Sequence, residues 1–327
     1  MPTLITGAGL VGTLAAARLV TDGLDQPVLY DVVFADDVLK NELNLGSVKR
    51  IVGDVTDIPD VIRTIRDYGV ERVIHTAALH TSEVRKRPFA GAQVNFMGTM
   101  AVLEAARLTG IKRVVICSSS TVYLGLKQQR KKGRLPEDIS LRVVSEYPPS
   151  VYASLKLAAE WIAHEYRTVH GVDSVVIRLA GVFGPWGGTM SSPHRLVRMI
   201  LESAWLRKPC EVTTGEMTRG GSDYVYARDA AQGVVRAAYA GDPQARVYNV
   251  AMGRRYTVQE IINIVESVVG RKVKLHRVEG DKLSGYERNP GTLDIRRART
   301  ELGYEVEFPM EKAIRDYSNE IKKGLKG

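Results

Sequence analysis

Tyr152 and Lys156 stand four residues apart in the run Ser150-Val151-Tyr152-Ala153-Ser154-Leu155-Lys156. On a helix that spacing puts both side chains on one face, one turn from each other. An ammonium beside a phenol favours the phenolate and lowers a pKa that otherwise sits near ~10. A tyrosine so placed can exchange protons with a substrate alcohol near neutral pH, as a general acid or base. Pro148 and Pro149 disfavour helix upstream, while Leu157-Ala158-Ala159-Glu160-Trp161 continues a helical pattern. The pair is therefore expected in the first turns of a helix.

A second stretch could bind the partner in such a reaction. The apolar run Thr3-Leu4-Ile5-Thr6 leads into Gly7-Ala8-Gly9-Leu10-Val11-Gly12 and then the helical pattern Leu14 to Val20. Strand, glycine turn and helix form a cradle in which backbone amides meet a pyrophosphate. The next apolar run, Pro27-Val28-Leu29-Tyr30, ends at Asp31, close to the ~20-residue offset for an acid on the adenosine ribose. That carboxylate repels a 2′-phosphate, which favours NAD over NADP. Simple strand termination at Asp31 is the alternative.

The elements that must position these residues alternate along the chain. Val48 to Val52 reads as a strand, Pro59 to Tyr68 as a helix, and Arg72 to His75 as a strand ending in Thr76-Ala77-Ala78-Leu79-His80. A long helix from about Phe89 to Leu108 carries Asn95, and Val114 to Cys117 reads as a further strand opening into Ser118-Ser119-Ser120-Thr121-Val122-Tyr123. Such alternation implies an α/β fold with a Rossmann-type, doubly wound parallel sheet whose ligands lie at the carboxyl ends of the strands. Asp54 falls at one of those ends, as an adenine-binding candidate or a helix N-cap. Residues 124 to 149 are polar, basic and proline-containing, as a lid or binding segment would be.

The chain has 327 residues, 44% hydrophobic and 25% charged, enough for a real core. No apolar stretch approaches the ~20 residues of a membrane span, and no secretory leader pattern follows Met1, so a cytoplasmic protein is expected. Cys117 and Cys210 lack metal-ligand spacing and suggest no disulfide framework. Much of the net charge of +9 sits in Lys127 to Arg134 and near Lys322, Lys323 and Lys326. Neither cluster interleaves with aromatic residues, so no nucleic-acid partner is expected; a positive field could still draw in an anionic substrate.

Taken together, these residues resemble the extended short-chain dehydrogenase/reductase family, also called the NAD-dependent epimerase/dehydratase family. The resemblance also rests on Gly53-Asp54-Val55-Thr56-Asp57, on Arg178 to Pro185, on Asp223 to Asp229, on Val247 to Val250 and on Leu293 to Tyr304. It implies NAD as cofactor, Tyr152 as the catalytic tyrosine, Lys156 as the lysine that holds the nicotinamide ribose, and Ser119 as the hydroxyl that binds the reacting oxygen. It implies cofactor contacts from Gly7, Gly9, Leu10, Val11, Gly12, Asp31, Asp54, Val55, Ala77, Ala78, His80 and Asn95, with a structural role open for the last two. The chemistry implied is hydride transfer between a secondary alcohol carbon and the nicotinamide.

The resemblance further implies a nucleotide-binding domain over residues 1–185, to which 222–250 return, and a smaller, interrupted substrate domain over 186–221 and 251–327. A homodimer built from the helices carrying Asn95 and Tyr152 is implied, with a small-molecule substrate and no membrane partner. Thr81, Ser82, Thr189 and Arg219 are candidate substrate liners.

Departures from the family pattern matter as much. Thr6 to Gly12 is one residue shorter than the usual Thr-Gly-x-x-Gly-x-x-Gly turn. Ser119-Ser120-Thr121 replaces the Thr-Asp-Glu of dehydratases, so water elimination lacks its acid. Gly181 stands where nucleotide-sugar epimerases carry asparagine and Ser222 where they carry arginine, both diphosphate ligands; Arg288 and Arg219 are candidate substitutes. The expectation is therefore a dehydrogenase acting on a sugar, polyol or hydroxy acid, with a sugar or nucleotide-sugar epimerase as the alternative.

Overall fold

The computed structural model describes residues 2–34, 48–124, 133–141, 150–185, 192–218, 221–279 and 291–324. Its first half alternates as expected. Strands β1 (Thr3–Thr6), β2 (Val28–Asp31), β3 (Lys49–Val52), β4 (Arg72–His75), β5 (Arg113–Ser119) and β6 (Ser174–Leu179) are joined through helices that include Leu10–Thr21, Ile58–Asp67, Gly98–Thr109 and Val151–His170. Later come β7 (Gly181–Phe183), β8 (Cys210–Thr213), β9 (Ser222–Tyr226), β10 (Val247–Val250), β11 (Arg255–Tyr256) and β12 (Leu275–Val278).

A crossover helix between neighbouring strands forces them parallel. Seven strands accordingly form one sheet in the order β10-β6-β5-β4-β1-β2-β3, with every pairing parallel. Strand order reverses between β1 and β4, which opens a crevice at their carboxyl ends. The central strands are buried on both faces: Leu4, Ile5, Val73, Ile74, Val114 and Val115 are all fully inaccessible. That is why they read as apolar runs rather than as alternating patterns.

The long helix expected from Phe89 to Leu108 is present with one interruption. Pro88–Ala92 and Gly98–Thr109 are α-helical, and between them Gln93–Met97 forms a wider turn with i to i+5 bonding. Such a bulge re-aims one residue out of the helical register, here Asn95, which is fully buried.

A second hydrophobic cluster gathers Phe183, Val197, Ile200, Leu201, Ile261, Val265, Ile314 and Tyr317. Here β9 pairs with β7 and β11 rather than with the large sheet. The chain rejoins that sheet through helix Ala227–Tyr239, which packs on helix Leu10–Thr21, and through β10.

Two buried carboxyls fasten the C-terminal segments to this frame. Asp223 Oδ2 accepts the Leu293 amide at 3.0 Å, and Asp229 Oδ2 accepts the Phe308 amide at 3.1 Å. In each the other oxygen is buried without a hydrogen-bond partner. Burial accordingly pushes both from the ordinary 3.8 up to about 7. An acid raised in the folded state contributes stability below its unfolded pKa and loses it as pH rises through the folded one, here from 3.8 to about 7. The loss is on the order of 4 kcal/mol for each group. Asp229→Asn, which cannot titrate, should therefore gain stability relative to the parent chain between acid and neutral pH. Urea melts at two pH values measure this; a difference that does not change with pH contradicts it.

Candidate active site

Helix Val151–His170 begins where the Ser150 hydroxyl accepts the Ala153 amide at 3.2 Å, a cap worth about 1 kcal/mol. Its buried face carries Ala153, Lys156, Ala159, Glu160 and Ala163, and it packs along β5 and β6. Lys156 Nζ donates to the Cys117 carbonyl of β5 at 2.7 Å and lies 5.9 Å from the centre of the Tyr152 ring. The Ser119 side chain, on the last residue of β5, lies beside the Tyr152 phenol and favours its charged form. Its hydroxyl also accepts the Thr121 amide at 3.2 Å, which caps the short turn Ser120–Tyr123 and fixes the serine in place. Ser119, Tyr152 and Lys156 thus converge at the carboxyl end of a central strand.

The expected effect of lysine on tyrosine is not what this arrangement delivers by itself. Burial pushes the Tyr152 phenol up to about 12, with the Ser119 side chain pulling the other way. The ammonium is aimed at a backbone carbonyl, not at the phenol oxygen, and burial also lowers the Lys156 pKa. Desolvation outweighs the neighbouring charge.

Beside this cluster lies the glycine turn, and its three glycines differ. Gly7 has φ +91°, and a Cβ there would stand 2.5 Å from the Ala77 amide nitrogen; a Cβ on Gly12 would collide with the Gly7 carbonyl oxygen. Both are needed for close backbone packing. A Cβ on Gly9 would meet nothing within 4 Å. Gly9 therefore faces the crevice, at the start of helix Leu10–Thr21, where the first amides, including those of Leu10 and Val11, lack acceptors within the helix. This is the cradle a pyrophosphate fits. The residue missing from the usual turn leaves each glycine with a definite place.

Asp31 Oδ2 accepts the Ala8 amide at 2.6 Å, which ties the end of β2 to the turn. Around it Val32, Val33 and Val52 are exposed, an apolar rim suited to an adenine ring. Asp54 Oδ1 accepts both the amide and the hydroxyl of Thr56 at 2.9 Å, whereas Asp57 is the residue that caps helix Ile58–Asp67. Val55 is buried in the core beneath Gly98, so it can offer a cofactor only its backbone. Ala77 and Ala78 line the turn after β4, half-buried.

Asn95 spends both polar groups on that same loop: Oδ1 accepts the Leu79 amide at 2.7 Å and Nδ2 donates to the Leu79 carbonyl at 2.9 Å. It clamps the segment that carries His80. His80 starts helix Thr81–Lys86 without using its side chain as a cap. It is exposed, and the surrounding protein together with Lys156 holds its pKa below the ordinary value. Thr81 and Ser82 stand at the same rim. Of the other substrate candidates, Thr189, Arg219 and Arg288 lie outside the described residues, as does most of the basic stretch from Lys127.

Several residues that shape the site were not singled out from the sequence. The Thr76 hydroxyl reaches the carbonyls of Thr6 and Gly7 at 2.9 and 2.8 Å and straps the glycine turn to β4. Arg178 and Glu160 form a buried ion pair at 2.6 Å behind Lys156. Tyr123 and Asn249 join it through the phenol, which donates to Asn249 Oδ1 at 2.9 Å. The signal available for Glu160 was its spacing, one further helical turn beyond Lys156.

A doubly wound sheet, a glycine cradle with an acid at the end of the next strand, and a Ser-Tyr-Lys cluster at the crevice define a dinucleotide-dependent oxidoreductase-type enzyme. The family model of the NAD dependent epimerase/dehydratase family matches residues 3–251, and the chain belongs to this family, the extended short-chain dehydrogenase/reductases, whose cofactor is NAD. It is 28% identical over 330 residues to a UDP-glucose 4-epimerase of Mycolicibacterium smegmatis, covering 96% of each chain. It is 26% identical over 333 residues to a UDP-glucuronate 4-epimerase of Thermodesulfobacterium geofontis, covering 98% of this chain and 96% of the relative. Among solved structures, the UDP-glucose 4-epimerase of Thermus thermophilus in complex with NAD superposes with a TM-score of 0.79 at 24% identity, over 98% of this chain and 99% of that one.

The three glycines give separable outcomes. Gly9→Ala should fold with an unchanged melting temperature and bind NAD at least about tenfold more weakly, because its methyl enters the cradle. Gly7→Ala should lose stability as well, since both its φ and the Ala77 backbone oppose a side chain. Thermal melts with and without NAD distinguish the two; equal behaviour would contradict the assignment.

Proposed function

We propose that the protein oxidises and reduces a secondary alcohol carbon of a sugar, polyol or hydroxy acid, using NAD. The observation that carries this reading is the meeting of Ser119, Tyr152 and Lys156 at the carboxyl end of β5, beside the glycine cradle. Bound NAD supplies the acceptor for the carbon's hydride. Tyr152 takes the hydroxyl proton, Ser119 holds the same oxygen, and Lys156 brings the positive charge that favours the phenolate. His80, Thr81 and Ser82 border the substrate on the side of β4.

Two observations favour a dehydrogenase that releases its ketone. Gly181 has no side chain to hold a diphosphate, and a Cβ there would stand 3.0 Å from Pro193 and 3.3 Å from the Asp223 carbonyl, so a larger ligand residue would need Pro193 to give by a few tenths of an ångström. Ser222 is neutral and short, and its side chain lies beside the Tyr224 phenol. A diphosphate anchor is what an epimerase needs to turn its ketone over, and these two positions do not offer one. The second reading, a sugar or nucleotide-sugar epimerase that keeps its NAD, is favoured by the end-to-end similarity to curated epimerases.

A homodimer fits the surface of the two helices that frame the site. Phe89, Met97, Leu108, Trp161 and Val169 are exposed on Pro88–Thr109 and Val151–His170, an apolar face suited to a second copy. Among the described residues no helix is long and apolar enough to cross a membrane, and Cys117 and Cys210 are free thiols, which agrees with a reducing, cytoplasmic setting.

Tyr152→Phe should retain NAD binding and lose turnover by roughly 10²- to 10⁴-fold. Unimpaired turnover would remove Tyr152 from the chemistry. A screen of sugars, polyols and hydroxy acids with added NAD separates the two net reactions. Accumulating free NADH with one alcohol establishes the dehydrogenase; stereoisomer formation with NAD retained and no net NADH establishes the epimerase.

A further inference from the structure

One helical turn beyond Lys156, the same helix carries Glu160, 7% exposed and held from two strands. Arg178 of β6 grips its carboxylate, with Nη2 at 2.6 Å from Oε2 and Nε at 3.1 Å from both oxygens. Ser118 of β5 donates its hydroxyl to Oε1. The remaining guanidinium nitrogen, Nη1, donates to the Tyr123 hydroxyl at 2.7 Å and to the Glu137 carbonyl at 2.9 Å. A buried ion pair returns little net stability against apolar residues of the same size, so one this completely satisfied points to a role beyond holding the fold.

Two relations suggest that role. Ser118 and Ser119 are neighbours at the end of β5, and both face the same helix: Ser118 bonds Glu160, and the Ser119 side chain lies beside the Tyr152 phenol. The strand end is thereby fastened to the helix that supplies the tyrosine two turns beyond that tyrosine. The second relation is charge. Facing Lys156 are the Cys117 thiol from β5, His75 at the end of β4, His80 from the loop after it, and Tyr152 and Glu160 from its own helix. His75 is buried between the hydroxyls of Thr6 and Thr99, and burial keeps it neutral. Burial likewise keeps the Cys117 thiol protonated, pushed up to about 12. Among these groups Glu160 alone is a carboxylate.

We propose that Glu160, pinned by Arg178 and Ser118, is a positioning residue whose carboxylate is the buried counter-charge of the Lys156 ammonium and whose bond to Ser118 sets where Ser119 meets Tyr152. Lys156 and Glu160 do not need contact for this; their spacing on the helix keeps the two charges within electrostatic reach while Lys156 remains bonded to the Cys117 carbonyl. Without the carboxylate, burial and the guanidinium of Arg178 would both drive the proton off Lys156. The inference rests on the assignment of Tyr152 and Lys156 to the chemistry, and its test reads Lys156 directly.

The full chain, labelled with carbon-13 at the lysine ε position and saturated with NAD, is titrated by NMR, with the Lys156 resonance assigned by its loss in Lys156→Met. Glu160→Gln should lower the proton affinity of Lys156 about tenfold, and Glu160→Asp should recover part of it. Should Glu160→Gln not fold, the double variant Glu160→Leu with Arg178→Leu removes both charges from an apolar-tolerant site and, with the guanidinium gone as well, should shift Lys156 in the same direction by a smaller amount. An unchanged Lys156 titration in a folded variant overturns the proposal. A Tyr152→Phe enzyme with full turnover would instead overturn the function reading and leave this titration standing.

Discussion

Desolvation is the constraint on which the site depends. A half-buried phenol and a buried ammonium meet at the carboxyl end of a parallel strand, and burial disfavours the charged form of each: Tyr152 is pushed up to about 12, and the Lys156 pKa is lowered. An acid–base tyrosine in such a place works only if positive charge is assembled close enough to offset the burial. The protein's own positive charge here is the Lys156 ammonium, on the helical face it shares as one column with Tyr152 and Glu160 and bonded to the Cys117 carbonyl, with the Ser119 side chain beside the phenol. A positively charged ring bound beside Tyr152 would add what the column lacks, which ties acid–base chemistry to cofactor occupancy.

The remaining architecture serves to hold that column against the glycine turn. Thr76 straps the turn to β4, Asn95 clamps the loop that follows β4, and the bulge at Gln93–Met97 is what lets Asn95 leave the helical register to do so. On the other side Arg178 fastens the helix of Tyr152 to β6 and reaches the segment around Glu137. That segment is joined in turn to the C-terminal part: the Leu135 amide donates to the Thr292 carbonyl, and Asn249 Nδ2 donates to the carbonyls of Leu135 and Asp294. The polar interior therefore links the cofactor side of the crevice to the part of the chain that follows Gly291.

Much of this was legible in the sequence because it is local. The glycine turn, Asp31, the Ser run and the Tyr-Lys spacing each lie within one strand-turn-helix unit, and the sheet followed from their alternation. What could not be read depends on groups far apart in the chain. Arg178 and Glu160 meet from separate elements, Thr76 reaches back to Gly7, and the sign of the Tyr152 shift is decided by burial from several directions at once. Asn95 was visible as a residue, but its bonding to Leu79 requires a bulge that no periodicity announces. The sequence shows Gly181 as a missing ligand; the tight approach of Pro193, 3.0 Å from a Cβ placed there, comes only from packing.

The ionisation of one phenol tests this balance of burial and charge most directly. Ultraviolet difference titration of the full chain against Tyr152→Phe isolates that group, and repeating it with oxidised NAD bound places the cofactor's charge beside it. The expected result is a Tyr152 pKa near about 12 without NAD and a markedly lower one with it. A titration that oxidised NAD leaves unchanged would contradict the claim that burial is offset at this site by assembled positive charge.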